Sequence, residues 1–250
     1  MTDEREPLLE GTLISHLLEL RDRLLRAFIA VIIVFIPCMY YSNQLFEFVS
    51  QPLRAQLPAG GTMIATSITA PFTIPFKLAF IAALIIAMPY VLYEIWRFVA
   101  PGLYRHEKRF AVPLLISAVV LFYTGVAFAY WVVFPLVFHF FVHTAPKGVT
   151  VMTDITSYME FVLVLVFSFG LTFEVPVAVV LLVAMGLVPV EKLTRIRGYV
   201  LIGAFIIAAI LTPPDAFSQT VMAIPMYLLY EGGILFARLL SKKKPAAETD

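Results

Sequence analysis

The sequence predicts an all-α polytopic membrane protein with six transmembrane helices. Three observations predict it: a composition too apolar for a water-soluble core, six apolar segments, and basic residues gathered on one side of those segments. The 250 residues are 61% hydrophobic and 14% charged, with a mean hydropathy of +0.91. A soluble domain of this length cannot hide so much apolar surface in one core, so a bilayer must serve as solvent for much of it. The formal net charge is only +1, which argues against a nucleic-acid partner. Cys38 is the single cysteine; it has no partner for a disulfide and no second thiol for a metal site. The stretch from Met1 to Glu10 is acidic and polar, unlike a cleavable signal peptide or an Arg-rich transit peptide.

The apolar segments run approximately over residues 24–41, 76–96, 110–138, 161–188, 199–211 and 216–237. Backbone groups in lipid must satisfy one another, so these are expected as helices, and no long alternating pattern suggests a barrel. Internal Pro37, Pro89, Pro135, Pro176 and Pro225 predict kinks or helix ends. Fifteen of the 18 Lys and Arg residues flank one side, in groups around Arg21–Arg26, Arg97–Arg109, Lys192–Arg197 and Arg238–Lys244 with Arg5. Arg54, Lys77 and Lys147 flank the other. The positive-inside rule then puts both termini in the cytoplasm. The fifth segment is short, and the turn Thr212-Pro213-Pro214-Asp215 ends it sharply. It must either thin the bilayer beside it or pack against protein. One domain over residues 1–240 is expected, with an extracytoplasmic cap over 42–75 and a disordered tail over 241–250. Leu45, Phe46, Phe48, Val49 and Leu53 suggest a short amphipathic helix within that cap. No internal repeat is evident, which weakens an inverted-repeat transporter reading.

Acidic residues in unusual places carry the functional signal. Before the first span, Glu19 can pair with Arg23 and Asp22 with Arg26, each at i,i+4. These are either solvated ion pairs on an interfacial helix or part of a cation-binding rim. Glu107 lies in the loop between spans two and three. It can stabilise the start of the next helix, or accept a guanidinium, whose planar fork matches a carboxylate as a lysine cannot. Glu174 sits midway in the fourth span, where a charge costs at least about 2.5–3.5 kcal/mol on insertion scales. It is protonated and bonded to a carbonyl freed by Pro176, or it serves transport or partner contact. Thr212, Asp215 and Gln219 form a polar cluster between the last two spans; Asp215 can cap the final helix, and the cluster can bind another helix. Gly232-Gly233 allows close backbone approach. His139 and His143 have the i,i+4 spacing of metal ligands, but nothing nearby completes a set, so no metal and no cofactor is expected. Hydrolase and phosphate-loop motifs are absent, and an enzyme is not expected.

Six motifs in order make the chain similar to a known family: SHLLELRDRL (Ser15–Leu24), FVAPGLYRHEKR (Phe98–Arg109), YWVVFPL (Tyr130–Leu136), FGLTFEVP (Phe169–Pro176), TPPD (Thr212–Asp215) and AIPMYLLYE (Ala223–Glu231). The chain resembles the TatC family, the multispanning receptor subunit of the twin-arginine protein translocase. The resemblance implies a glove-like concave bundle, short fifth and sixth helices, and residence in the bacterial cytoplasmic (inner) membrane. It implies a receptor for twin-arginine signal peptides on folded precursors, driven by the proton-motive force and acting in a larger complex with self-association. By resemblance, Glu19 and Glu107 meet the arginine pair, Phe98, Pro101, Leu103 and Tyr104 shape the loop, and Arg21 and Arg23 position the site. Pro52 belongs to the outer cap, and Glu174 faces the concave side. Tyr130, Thr212 and Gln219 match a polar site for single-span partners of the TatA and TatB type. The rival readings are a proton-coupled small-solute transporter using Glu174, and a structural scaffold whose acids are caps and ion pairs.

Overall fold

The computed structural model describes residues 6–55, 63–99, 111–144, 152–212 and 215–241. Among them every regular element is a helix, joined by short turns, with one isolated bridge between Ile64 and Asp154. Five helical stretches are long and apolar enough to cross a membrane by length and composition: Leu17–Tyr40, Ala70–Val99, Val112–His143, Ile155–Ala184 and Ala216–Leu240. The fifth apolar segment of the sequence is the short one, Arg197–Leu211.

Helix α1 (Glu6–Tyr40) is continuous, so the N-terminal motif and the first span are one element. No Gly or Pro separates them before Pro37 apart from Gly11 and Pro7 near the start, and its 35 residues extend about 52 Å. That exceeds a hydrocarbon core of about 30 Å, so one end stands clear of it. Phe28, Ile33 and Ile36 are exposed, as lipid-facing side chains are. Helix α2 (Ser42–Arg54) is the short cap helix, and it buries Leu53. Helix α3 (Ala70–Val99) starts earlier than the apolar pattern indicated, because Pro71 is tolerated in a first turn whose N–H groups have no helical partner.

The third span kinks where Pro135 predicted. Helix α4 (Ala111–Phe128) widens into a π-helical stretch, Ala129–Val133, before α5 (Phe134–His143). Proline cannot donate to the carbonyl one turn back, and the extra residue per turn absorbs the mismatch. The fourth span breaks at Phe173-Glu174 into α6 (Ile155–Thr172) and α7 (Val175–Ala184), with Pro176 in the first turn of the second piece. A six-residue helix α8 (Val190–Arg195) leads into α9 (Arg197–Leu211). The last helix, α10 (Ala216–Ser241), has 26 residues. The resemblance implies a short sixth helix; in the structure neither Pro225 nor the Gly pair stops α10, and it runs past Arg238 to Ser241. The tail 242–250 lies outside the described residues.

Phe134, Phe138, Tyr158, Met159, Phe169 and Met222 form the largest core, joining the kinked third span to α6 and α10. Two glycines let helices meet closely. A Cβ on Gly125 would come within 2.5 Å of the Phe169 carbonyl oxygen, and one on Gly233 within 2.9 Å of the Pro176 Cα. Of the Gly232-Gly233 pair, only the second is used in this way; a Cβ on the first would meet nothing within 4 Å.

The cap is tied down by one carboxylate. Asp154 accepts from the Thr156 and Ser157 amides at 3.1 and 3.0 Å, capping α6. Its other oxygen accepts from the Thr66 amide at 3.0 Å and the Thr66 hydroxyl at 2.8 Å. Backbone donation from Ser157 and then Thr66 holds this carboxyl well below its ordinary value of 3.8, at about 2. A depressed carboxylate contributes fully above its unfolded value and loses that contribution as pH falls through its folded value. The Thr66 and Ser157 amide shifts, followed by NMR in micelles, should therefore titrate with a midpoint near 2. A midpoint near 3.8 would mean that the carboxylate does not hold the cap.

Candidate functional site

Helices α1 and α3 run antiparallel, so the start of one meets the end of the other at the rim rich in basic residues. Their seam is polar at that rim. Glu94 of α3 is buried, with 2% of its surface exposed. Its Oε2 lies 3.4 Å from Arg23 Nη1, its Oε1 accepts from the Tyr90 hydroxyl at 3.1 Å, and Arg26 Nη1 stands 3.9 Å away. Arg23 also reaches one turn back along α1. Its Nε donates to Glu19 Oε1 at 3.0 Å, and Nη2 makes a second, closer contact with the same oxygen. The Arg23 side chain is only 11% exposed, whereas that of Glu19 is 40% exposed.

The Glu19–Arg23 pair follows the i,i+4 expectation, but the Asp22–Arg26 pair does not form. Asp22 instead meets Arg21 at 2.8 Å. Arg26 turns its Nε to the Asp22 backbone carbonyl at 3.2 Å and its Nη1 toward Glu94. A buried carboxylate across the seam attracts Arg26 more strongly than a solvated neighbour does. Glu94 is the residue that reading the sequence undervalued. Its signal was available: an acid in the last turns of an apolar span, with a tyrosine one turn earlier and arginines on the preceding helix.

Phe98 is half-buried at the end of α3, one turn beyond Glu94. Glu19 is likewise one turn beyond Arg23, so the Arg23–Glu94 contact sets these two residues at one end of the seam. The loop that follows, with Pro101, Leu103, Tyr104 and Glu107, lies outside the described residues. Arg97 stacks its guanidinium over Tyr93 at 5.5 Å.

A cavity of about 540 Å³ opens between α4, α7 and α10. Its lining is almost wholly apolar and includes Leu121, Phe173, Pro176, Val177 and Leu228. Glu174 stands at the α6–α7 break between two of those residues. Its Oε1 is buried and, among the described residues, has no hydrogen-bond partner, so this oxygen is not bonded to a carbonyl freed by Pro176. At the α9–α10 turn, Thr212 is buried and its hydroxyl donates to the Ala208 carbonyl at 2.8 Å. Asp215 caps α10 by accepting from the Ser218 amide at 2.7 Å, and Gln219 is half-buried beside it. Asp215 Oδ2 and Ser218 Oγ are buried there without partners among the described residues.

Tyr130 is committed to the cap rather than to that turn. Pro52 has no N–H to give the Phe48 carbonyl one turn earlier, and the Tyr130 hydroxyl donates to it at 2.8 Å. The two rings stack at 4.7 Å, nearly parallel. Tyr158 donates to the adjacent Val49 carbonyl at 2.8 Å. Elsewhere, His139 and His143 stack at 4.0 Å. Among the described residues no group of three His, Cys, Asp or Glu side chains is placed to hold a metal ion.

Residues 15–225 match the family described as Sec-independent protein translocase protein (TatC). The chain belongs to the TatC family. It is 54% identical over 241 residues to a TatC of Haemophilus influenzae, covering 96% of this chain and 92% of that relative. A TatC of Escherichia coli strain K12 is 55% identical over 226 residues, covering 90% and 88%. A crystal structure described as the twin arginine translocase receptor TatC matches with a TM-score of 0.82 at 37% identity, covering 90% of this chain and 99% of that one. As a TatC, the chain is a bacterial membrane protein and a component of the Sec-independent protein translocase.

The anchoring of Tyr130 has a measurable consequence. Tyr130→Phe should cost about 0.5–1.5 kcal/mol, the net worth of one hydrogen bond. Amide hydrogen exchange should accelerate in Ser42–Arg54 while the spans remain protected. Uniform acceleration across the bundle would show that Tyr130 serves the core instead.

Proposed function

We propose that this TatC is the signal-peptide receptor of the translocase, recognising a twin-arginine pair at Glu19 and Glu107. The supporting observation is the register of the α1–α3 seam. The Arg23–Glu94 contact sets Glu19 and Phe98 at the same end of the seam, and Phe98 leads into the loop carrying Glu107. Two carboxylates at one rim suit two guanidinium groups, because each planar fork makes charge-assisted bonds that a lysine ammonium cannot reproduce. Phe98, Pro101, Leu103 and Tyr104 shape the loop, and Arg21 helps to position α1.

In this reading the chain crosses the bacterial inner membrane six times with both termini in the cytoplasm, and the basic rim is the cytoplasmic one. The signal peptide's apolar stretch lies along the cavity between α4, α7 and α10, next to Glu174. Single-span partners of the TatA and TatB type dock at the α9–α10 turn, where Thr212 and Gln219 accompany oxygens of Asp215 and Ser218 that have no partner among the described residues. Helix α9 is short, about 22 Å against a core of about 30 Å, so a partner beside it meets a thinned or protein-covered bilayer. Its work is transport of folded precursors with the proton-motive force, not chemical catalysis.

Glu107→Ala or Glu19→Ala should lower twin-arginine precursor binding by about tenfold or more, matching the loss of one charge-assisted pair. The protein should remain inserted. Site-specific photocrosslinking from positions 19 and 107 reads this directly, and undiminished binding by the double variant would reject the site. At Glu174, Gln should preserve more transport than Arg if the group works in its neutral form. Equal loss with both substitutions would point to an ionised role.

A further inference from the structure

The guanidinium now on Glu19 belongs to the chain itself. Arg23 straddles two acids: the accessible Glu19, which it holds with two nitrogens, and the enclosed Glu94, which it touches more loosely at 3.4 Å. Glu94 cannot serve an incoming ligand, because only 2% of it is exposed. Its Oε1 is engaged by Tyr90 and faces Arg26, while its Oε2 faces Arg23. A small swing of the Arg23 side chain would therefore exchange one carboxylate for the other without stranding either charge.

We propose that Arg23 is a built-in competitor for the receptor's own binding site, and that Glu94 is the acceptor that takes Arg23 when an arginine from outside claims Glu19. The proposal rests on Glu19 being the acceptor described above. Its consequence is selectivity. An incoming side chain must match what it displaces, a guanidinium that makes two contacts with one carboxylate oxygen. An arginine can do so. A lysine supplies a single compact charge and is more strongly hydrated, so it cannot dislodge Arg23 as readily. The competitor is a repulsive element against the wrong ligand, and it lowers affinity for the right one in return. Glu94 makes the exchange reversible. A cation leaving Glu19 for solvent would leave no trace, but one that moves to a buried acid strengthens the α1–α3 seam while the site is occupied.

The test uses the full-length protein in nanodiscs and two fluorescent signal peptides, one with an arginine pair and one with a lysine pair. Arg23→Gln should tighten binding of both, by about three- to tenfold for the arginine peptide and more for the lysine peptide, so that discrimination falls. Glu94→Gln should do the opposite, weakening the arginine peptide severalfold, because Arg23 then has only Glu19 to hold. The double variant should bind like Arg23→Gln, since a competitor that is gone needs no second acceptor. The double variant also removes both members of the pair, leaving Arg26 and Tyr90 around a neutral group, and carries the test if Arg23→Gln alone does not fold. Unchanged or weaker binding by Arg23→Gln, or a Glu94→Gln loss that persists in the double variant, would overturn the proposal and leave the cluster as a structural tie. Glu19→Gln is the separate control. If it leaves arginine-peptide binding intact, the acceptor assignment itself fails, whatever the Arg23 variants do.

Discussion

A carboxylate buried between two apolar helices cannot stand alone, and Glu94 makes the rim of this protein from that constraint. Stripping an ion of water costs several kcal/mol even after relaxation, so the helix opposite must bring cations to it. Arg23 and Arg26 are one turn apart on α1 and arrive together on the face that meets α3. Once they do, the two helices cannot slide. A shift by a turn would separate the charges and leave Glu94 unpaired. Glu19 and Phe98 inherit their position from this lock, as does the start of the loop that carries Glu107. The proposed receptor rim is thus a by-product of a buried ion pair.

A second constraint runs through the rest of the bundle. Lipid offers no hydrogen bonds, so every proline inside a span leaves a carbonyl that something else must satisfy. For Pro89 in a span, and for Pro52 in the cap helix, the chain answers with a tyrosine. Tyr123 donates to the Ile85 carbonyl at 3.1 Å, the group that the Pro89 nitrogen cannot serve. Tyr130 does the same for Phe48 opposite Pro52. In each case the tyrosine comes from a neighbouring element, so a local break in one helix becomes a tie between two. The π-helical stretch ahead of Pro135 solves the same problem within a single span.

Much of this was legible in the sequence because the bilayer imposes simple rules. Apolar length located five helices long enough to cross a membrane and one short one, Pro135 and Pro176 marked breaks while Pro37, Pro89 and Pro225 lie inside continuous helices, and six ordered motifs named the family. What was not legible depended on which faces meet. Asp22 and Arg26 are spaced for a pair, yet the seam diverts Arg26 to Glu94. Tyr130 reads as a polar group near an outer helix end, and only the folded cap shows that its hydroxyl is already used. The last apolar segment ends near Ala237 in the sequence, whereas Arg238 continues the helix and donates to Thr194 at 2.7 Å. Span ends are set by apolar content in the sequence, but helices end where their hydrogen bonds end.

The two parts of the proposed binding surface use different physics, and each supplies what the other lacks. At the rim, charge-assisted bonds distinguish arginine from lysine but say little about the residues that follow. In the cavity, apolar contact rewards any greasy segment in proportion to its area and gives it no register along its length. Glu174 breaks that uniformity. It sits where the fourth span interrupts its own ladder, between Phe173 and Pro176 of the cavity wall in sequence, with a buried oxygen that has no hydrogen-bond partner among the described residues. An unsatisfied buried acceptor costs about 1–3 kcal/mol. A donor that reaches that oxygen recovers the cost. In the proposed reading, then, the rim selects which peptide enters, and the intramembrane carboxyl group sets how far along the bundle it comes to rest.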